Sequence, residues 1–368
     1  MSESTRTPGA ASRPQRVTMS EVAREAGVSQ AAVSLVLNDK KGMIGAEARR
    51  RVLDAAAKLG YRRNLHAGTL RTGRTYCLGL LGHMGGFALD NYVFTGVARG
   101  AEDELAETGS PFALLTFAAS WERGQAKSLD LIERGLVDGV VCVVAAGALE
   151  SFERERLEWF RERGVRCVAV HSLGARTLDY PYVGFDSRAG GRLAAEHFAR
   201  LGYASIGLYL NSPGGPQSNE IREGFEAGLR AQGRELESRW VFEDRNPDRK
   251  PAFEAGYAWA RQVPPTALPR ALLVSLDACA HGIWKAFRER GLRVPEDIAL
   301  LGYDDDAPAR YGLPDLSSVK HPFREKGRAA ARMLAALVEG AWPSDQPMHT
   351  ILTPTLALRR SCGGGNHA

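Results

Sequence analysis

Residues 17–38 read VTMSEVAREAGVSQAAVSLVLN. Thr18 and Glu21 have the three-residue spacing of a capping box, which predicts that a helix begins there. Apolar residues follow at helical spacing as far as Gly27, a residue that favours a helix end. Ser29 is a suitable cap for a second helix two residues further on. Two short helices joined by a tight Gly-Val-Ser turn predict a helix-turn-helix.

The second predicted helix has one apolar face and one face left for contacts. Once Val33, Val36 and Leu37 are buried, the other face can meet the major groove of DNA, and Gln30 is suited to a bidentate hydrogen bond with a base. Hydroxyl and amide side chains nearby can bind phosphates. A simple pair of packed helices is the alternative. The residues expected to contact DNA from this segment are Thr18, Ser20, Ser29, Gln30, Ala31, Ser34, Leu35 and Asn38.

Charge is unevenly distributed along the 368 residues. Residues 1–75 contain 14 Lys and Arg against 6 Asp and Glu, whereas the remainder contains 34 against 37. A basic head on a mildly acidic body is typical of a protein in which one part meets a polyanion. A basic tail without a partner is the other interpretation. Residues 1–16 hold little to bury and predict disorder, and a third helix is expected from about Ala46 to Leu59.

Composition also limits the class of protein. The five cysteines (Cys77, Cys142, Cys167, Cys279 and Cys362) form no C-x-x-C pair, which argues against a metal cluster or a disulfide framework. No apolar run approaches 18 residues, and no signal peptide precedes the basic segment. We therefore expect a cytoplasmic protein with no membrane contact, no metal and no cofactor.

From Tyr76 onward, apolar runs alternate with amphipathic helical stretches. This alternation predicts βαβ units and parallel sheets in two lobes, with a ligand cleft at the carboxyl ends of the strands. The predicted strands are Cys77–Leu81, Phe112–Thr116, Val137–Val144, Val165–Val170, Tyr182–Phe185, Ile206–Leu210, Ala271–Ser275 and Ile298–Gly302.

The ordered set of motifs resembles the LacI/GalR family of repressors over roughly residues 17–360. The head carries AGVS and VSLVLN, and the body carries motifs in the family's order. These are AAAKLGY (55–61), LRTGRT (70–75), VGFD (183–186), GGRLAAEHF (190–198), LGY (201–203), PEDI (295–298) and GYDD (302–305). The resemblance implies a three-helix DNA-binding domain, a hinge, and a two-lobed core like that of periplasmic binding proteins. It also implies a homodimer or tetramer on near-palindromic double-stranded operator DNA.

The resemblance gives the segment 64–72 a role in DNA binding. In the family this hinge becomes helical on the operator, where paired leucines open a step of the minor groove. Leu70 matches that leucine, Ala67 its neighbour in the groove, and Asn64 also aligns with the hinge. A flexible linker is the alternative. Leu35 departs from the arginine often found at its position, so it either packs on a thymine methyl group or only covers the helix.

The resemblance also implies a small-molecule effector, a sugar or related metabolite, between the two lobes. Asp277 and Asp304 match acidic residues that follow strands, although Asp304 also suits a turn. Leu276 and Ile221 replace a polar asparagine and arginine of the family, which argues against an unmodified monosaccharide. The residues expected to bind the effector are His83, Phe87, Asn91, His171, Ser218, Asp277 and Asp304.

The alternatives in other classes are a nucleotide-dependent enzyme and a solute-binding protein. The loop at 79–86 (GLLGHMGG) has glycines after a strand, but its spacing is not that of a dinucleotide fingerprint. The predicted function is therefore a transcriptional regulator, a repressor by default, with a corepressor-dependent regulator or an activator as alternatives, and not an enzyme.

The predicted boundaries follow from these assignments. They are a tail at 1–16, a helix-turn-helix domain at 17–63, a hinge at 64–75, a core at 76–360 and a tail at 361–368. Within the core we expect one lobe at about 76–181 and 313–342 and the other at about 182–312.

Overall fold

The computed structural model describes residues 17–37, 44–61, 73–83, 91–117, 125–145, 149–174, 178–245, 250–306, 315–343 and 346–364. The chain divides between Gly73 and Arg74 into two compact units. Each unit encloses hydrophobic clusters of its own. Within the described ranges, no helix is long and apolar enough to cross a membrane.

The first unit contains three helices, α1 (Met19–Ala26), α2 (Gln30–Leu37) and α3 (Ala46–Lys58). The predicted capping box is present, because the Thr18 hydroxyl accepts from the Glu21 N–H and the Thr18 N–H donates to the Glu21 carboxylate at 2.7 Å. Gly27 ends α1 with φ at +63°, a left-handed conformation that glycine adopts without strain. The Ser29 hydroxyl accepts from the Ala32 N–H and caps α2.

The core of this unit joins all three helices. Val22, Val33 and Val52, one from each helix, are fully buried, while Met19 and Leu37 pack at its edge. The periodicity of the sequence fixes this core, since each helix places apolar residues on one face only. The predicted helix-turn-helix with a third helix is confirmed.

The second unit contains two parallel sheets. All eight predicted strands are present, and the described ranges contain four further short ones. The first sheet has the order β11-β5-β4-β3-β1-β2 and the second β12-β10-β9-β8-β6-β7, with only the β10–β12 pair antiparallel among the pairs described. The strands are β1 (Cys77–His83), β2 (Ala113–Phe117), β3 (Gly139–Val144), β4 (Arg166–Val170), β5 (Tyr182–Phe185), β6 (Ile206–Leu210), β7 (Val241–Glu243), β8 (Ala271–Val274), β9 (Ala299–Asp304), β10 (Ser317–Lys320), β11 (His349–Leu352) and β12 (Thr355–Ala357).

Helices cover both faces of each sheet, which accounts for the nearly continuous apolar strands. Hydrophobic clusters lie on both sides of the first sheet and on both sides of the second. The helices are α4 (Tyr92–Glu107), α5 (Gln125–Glu133), α6 (Leu149–Ser151), α7 (Glu158–Glu162), α8 (Ser187–Arg200), α9 (Pro216–Ala231), α10 (Ala252–Gln262), α11 (Asp277–Glu289) and α12 (Phe323–Glu339). A π-helical segment, Phe152–Leu157, joins α6 to α7.

The predicted lobe boundaries at 182 and 313 are wrong. Strand β5 pairs with β4 in the first sheet, and β10 pairs with β9 in the second. The chain then returns to the first lobe for α12 and β11 and enters the second sheet again at β12. Strand β5 remains in the first sheet because its apolar residues complete that core, and the chain changes lobe only where α8 begins.

The predicted tail at 361–368 is wrong for its first two residues. Ser361 and Cys362 are fully buried in a short 3₁₀ turn, Arg360–Cys362. The Ser361 hydroxyl accepts from the Ser317 N–H at 2.7 Å and donates to the Leu300 carbonyl at 2.8 Å. These bonds attach the chain to two strands of the second sheet, where polar backbone groups need partners.

Three pairs of helices in the second unit cross at glycines. A Cβ atom on Gly224 of α9 would lie 1.8 Å from the Arg188 carbonyl oxygen of α8, and one on Gly191 of α8 would lie 2.1 Å from the Ile221 carbonyl oxygen of α9. Helices α4 and α12 cross in the same way, as do α10 and α11. The glycines of these two crossings are Gly100, Gly327, Gly256 and Gly282.

Replacing Gly224 with alanine should lower the free energy of unfolding by about 3 kcal/mol, because the helix backbones must separate to admit the methyl group. Urea denaturation of the full chain measures the change. Gly174→Ala is the control, since its Cβ would have no neighbour closer than 3.8 Å. Equal effects of the two substitutions would contradict the role of the crossing.

Candidate functional site

The exposed surface of α2 is the candidate DNA-contacting surface of the first unit. Gln30 and Ala31 are exposed at its amino end, and Ser34 and Leu35 are half-exposed one turn later. Because Val33 and Val36 face the core, the exposed residues lie on the opposite face. Side chains at the amino end of such a helix are the ones that reach base edges.

The other predicted DNA contacts divide into two groups. Thr18, Ser20 and Ser29 are exposed, and the hydroxyls of Thr18 and Ser29 also cap helices. Asn38, Asn64, Ala67 and Leu70 lie outside the described residues. The first group can therefore approach phosphates from the helix amino ends, where backbone N–H groups also favour anions.

The second unit contains a cavity of about 260 Å³ at the carboxyl ends of β4, β6, β8 and β9. Ser172 follows β4, Asn211 follows β6, Ser275 follows β8, and Asp304 ends β9. Residues of α4 and α12 complete the wall from the first lobe. Strands that are apolar along their length thus deliver polar groups to one place, as parallel sheets commonly do.

The cavity wall contains both polar and apolar groups. The Asn211 amide oxygen accepts from the Ser275 hydroxyl at 2.8 Å, which holds both side chains at the rim of the second sheet. Among the described residues on the wall, Asp304 is the one carboxylate and none is Lys or Arg. The wall consists of Tyr92, Val93, Ser172, Asn211, Ser212, Gly215, Pro216, Gln217, Ser218, Ile221, Ser275, Leu276, Asp304, His321 and Phe323.

Two of the seven residues expected to bind an effector, Ser218 and Asp304, line this cavity. Asn91 instead caps α4, its amide oxygen accepting from the N–H groups of Val93 and Phe94. His171 is buried, and its ring stacks on Tyr182 with centroids 4.9 Å apart. His83 ends β1, but its side chain is outside the described set, as is the whole of Phe87.

Asp277 lies beneath the cavity wall and is fully buried. Its two oxygens accept from the Ser318 hydroxyl at 2.8 Å and the Asp306 N–H at 3.0 Å. Space for it exists because Gly302 has no side chain, as a Cβ there would lie 2.0 Å from the carboxylate. The expected contact of Asp277 with an effector therefore requires correction, since the structure places this carboxylate in the packing beneath β9 and β10.

Sequence reasoning missed several wall residues. Asn211 and Ser275 were detectable, because Asn211 is the first residue after a predicted strand and Ser275 is the last residue of another. Tyr92 and Phe323 gave no such signal, since they reach the cavity from α4 and α12, and His321 follows β10, a strand that was not predicted. Of the glycine-rich stretch, Gly79 and Gly82 lie inside β1, and Gly85 and Gly86 lie outside the described residues.

A chain of hydrogen bonds runs from the first lobe to the cavity wall. The Tyr92 hydroxyl donates to Asp304 Oδ2 at 2.5 Å, and His321 Nδ1 lies 3.3 Å from Asp304 Oδ1. On its other side, His321 Nε2 lies 2.7 Å from Lys326 Nζ. The Lys326 ammonium group also donates to the His171 carbonyl oxygen at 2.8 Å. Lys326 is fully buried on the apolar side of α12.

Burial dominates the ionisation of this region. It raises the pKa of Asp277 to about 7, with the Asp306 charge adding to the effect. It also raises the pKa of Asp304 well above its usual range, and Asp277 contributes there. Conversely, burial lowers the pKa of Lys326 to about 7. Burial also lowers the pKa of His321, with the Lys326 charge as a second cause, because the charged form of each group loses hydration.

Comparisons with known proteins match both units. Residues 18–64 match the model of bacterial regulatory proteins of the lacI family, and residues 195–362 match the periplasmic binding protein-like domain. The chain is 30% identical over 343 residues to the HTH-type transcriptional regulator MalR of Streptomyces coelicolor, covering 93% of this chain and 96% of that protein. It is 27% identical over 350 residues to the repressor PurR of Actinobacillus pleuropneumoniae, covering 94% and 98%.

Solved structures share the fold. The regulator CelR in complex with cellobiose matches with a TM-score of 0.61 and 26% identity, covering 94% of this chain and all of that one. The Lac repressor dimer bound to operator and the anti-inducer ONPF matches with a TM-score of 0.71 and 22% identity, covering 95% and 99%. The fold and the sites define a DNA-binding regulator with a small-molecule cavity.

The chain belongs to the lacI family of bacterial regulatory proteins. It is a DNA-binding transcriptional regulator, and the predicted fold class, with its helix-turn-helix domain and two-lobed core, is confirmed. The named relatives are likewise transcriptional regulators.

Replacing Asp277 with asparagine should flatten the dependence of stability on pH. Between about pH 4.5 and 6.5 the native carboxyl is protonated, since its pKa is about 7, whereas the unfolded one is ionised. The native state then binds one more proton, so stability is full below the unfolded pKa and falls as pH rises. In the variant, the free energy of unfolding should fall with rising pH less steeply than in the wild type, by up to about 1.4 kcal/mol per pH unit.

Urea titrations at several pH values measure that slope. Asp297→Asn is the matched control, because hydrogen bonds from Arg293 lower the pKa of Asp297 to about 2 and its titration ends below this window. A slope unchanged in Asp277→Asn would show that Asp277 is ionised in the native protein across the window.

Proposed function

We propose that the protein is a cytoplasmic, homodimeric repressor that reads a near-palindromic operator and is controlled by a small effector in the cavity. The observation that carries the proposal is the cavity wall, to which both lobes contribute. A ligand in contact with both lobes can prefer one arrangement of them over another, and that preference is what couples two sites. A sugar or a related metabolite is the proposed class.

The DNA side of the proposal rests on α2 and on the hinge. Gln30, Ala31 and Leu35 meet base edges, and Ser29, Ser34 and Asn38 contact the phosphates. Thr18 and Ser20 also contact the DNA. Asn64, Ala67 and Leu70 enter the minor groove, where an apolar side chain can open a base step. Two copies related by a two-fold axis bind two half-sites, which requires a palindrome.

Similar proteins support both parts. The Lac repressor structure holds a dimer on its operator together with an anti-inducer, and CelR is described with cellobiose. DNA selection with the purified full chain should enrich a near-palindromic site whose affinity falls as salt rises. Failure to enrich a palindrome would contradict the proposal.

Replacing Gln30 with alanine should weaken operator binding by about 1–3 kcal/mol and relax the preference at one base pair of each half-site, because a bidentate contact is lost. Fluorescence anisotropy with the selected site and its single-base variants measures both effects. Ala57→Ser, at an exposed position of α3, is the control. An equal loss of affinity for the selected site and for all its single-base variants would indicate that Gln30 binds phosphate instead.

Replacing Ser218 with leucine should abolish the effector response and leave operator affinity unchanged, since the larger side chain fills the cavity. The assay measures operator binding with cellobiose, ribose, glucosamine, gluconate or glucose 6-phosphate added. A response at least tenfold weaker than that of the wild type is expected. Ser238→Leu, at an exposed position, is the control, and an equal response in both variants would place the effector elsewhere.

A further inference from the structure

Lys326 is a charged residue on the buried side of α12, where the pattern of the helix places apolar residues. Helix α12 turns Ala330, Leu334 and Val338 toward the first sheet, and Lys326 lies on that same buried side. An unpaired ammonium group in such a place costs several kcal/mol, so its partners must be specific. They are the His171 carbonyl oxygen, the Ser172 hydroxyl at 3.4 Å and His321 Nε2.

The three acceptors match the three hydrogens of an ammonium group. An ammonium group only donates, so His321 Nε2 must accept and the ring proton must lie on Nδ1. Nδ1 faces Asp304 Oδ1, which then receives a hydrogen bond there and a second one from Tyr92 on Oδ2. Phe185 and Phe323 stack on the two faces of the His321 ring, with centroids 3.8 and 4.1 Å away, and fix its plane.

We propose that Lys326 is a positioning residue that sets the ligand class of the cavity by holding His321 in its Nδ1–H form and Asp304 as an ionised acceptor. The inference rests on the proposed effector role of the cavity. Burial and the Asp277 charge raise the pKa of Asp304, whereas the hydrogen bond from Tyr92 and the Lys326 charge lower it, and in the proposed arrangement these two groups hold the carboxylate ionised. With Asp304 ionised and no Lys or Arg among the described wall residues, the wall attracts hydrogen-bond donors. It selects a polyhydroxylated or ammonium-bearing ligand and repels an anion.

A second proton arrangement fits the same heavy atoms. Lys326 can pass a proton to His321 Nε2 while the Nδ1 proton passes to Asp304 Oδ1, which leaves a neutral amine, a neutral ring and a neutral carboxyl. No proton enters or leaves the protein in this exchange. In that arrangement Asp304 no longer carries charge, so the cavity would not discriminate against anions.

Nitrogen NMR separates the two arrangements in the ligand-free full chain. With ¹⁵N-labelled histidine, long-range proton–nitrogen spectra show which ring nitrogen carries the proton, and the His321 signals are those missing from His321→Gln. At pH 6 we expect a proton on Nδ1 and none on Nε2. A proton on Nε2 alone would overturn the proposal, and this measurement needs no substitution at Lys326.

Substitution tests the dependence on Lys326. In Lys326→Met the Nδ1–H form should be lost, whereas Lys326→Arg, which keeps the cation, should retain it. Lys285→Met is the control, because Lys285 is partly exposed on α11 and contacts other rings. An Nδ1–H form that persists in Lys326→Met would refute the role.

Titration of the wild-type chain gives a second readout. The ionisable groups facing Lys326 are His171 and His321, and beyond His321 lies Asp304, beside Asp277 and Asp306. Because Lys326 loses its proton near pH 7, the Nδ1–H form should dominate at pH 6 and decline by pH 9. A form that does not change with pH over this range would contradict control by Lys326.

Operator-binding assays with the defined probes test the ligand class. Cellobiose, ribose or glucosamine should alter operator binding in preference to gluconate or glucose 6-phosphate. A response to an anionic probe alone would overturn the ligand class. The NMR measurement is independent of any effector, so a proton found on His321 Nε2 would overturn the role of Lys326 and leave the proposed function standing. Conversely, a full effector response in Ser218→Leu would contradict effector binding in the cavity and would not bear on the protonation of His321.

Discussion

A strand buried on both faces can offer a polar side chain to a ligand only where it ends, because a polar group within the strand needs a buried partner, as Ser318 has in Asp277. In the second unit this constraint decides where chemistry is possible, because helices cover both faces of both sheets. Asn211, Ser275 and Asp304 stand at the ends of three adjacent strands of the second sheet, and Ser172 follows a strand of the first. The cavity is thus a consequence of the parallel topology, and the individual wall residues determine what it can bind.

The fold could be predicted from the sequence to the extent that it depends on local pattern. The capping box at Thr18, the left-handed Gly27 and the eight apolar strands are each fixed by a few neighbouring residues. The short strands β7, β10, β11 and β12 were missed because their three or four residues mix polar and apolar side chains, whereas β5, of the same length, carries no charged side chain and no Ser or Thr. The lobe boundaries were wrong because strand exchange between sheets is a long-range property that no local pattern encodes.

The candidate site was likewise predictable only where a residue's position depends on local pattern. Asp304 and Ser218 lie on the wall, but Asp277, which has the same residue type and also follows a strand, turns beneath it. What separates the two carboxylates is the absent side chain of Gly302, a tertiary detail. Lys326 was invisible for a related reason. A lysine on an amphipathic helix is normally solvent-exposed, and only the positions of His171 and His321 make its burial tolerable.

The glycine crossings differ in how far apart their partners lie along the chain. Helices α8 and α9 are neighbours in sequence, as are α10 and α11, so the second lobe can assemble its helix pairs from adjacent segments. Helix α4 must wait for α12, more than 200 residues later, and β5 must wait for β11. During synthesis on the ribosome the first lobe is therefore begun first but lacks α12 and β11 until shortly before β12 completes the second sheet. Until α12 emerges, α4 alone of this helix pair covers that face of the first sheet, and in this interval the nascent chain most needs protection from aggregation.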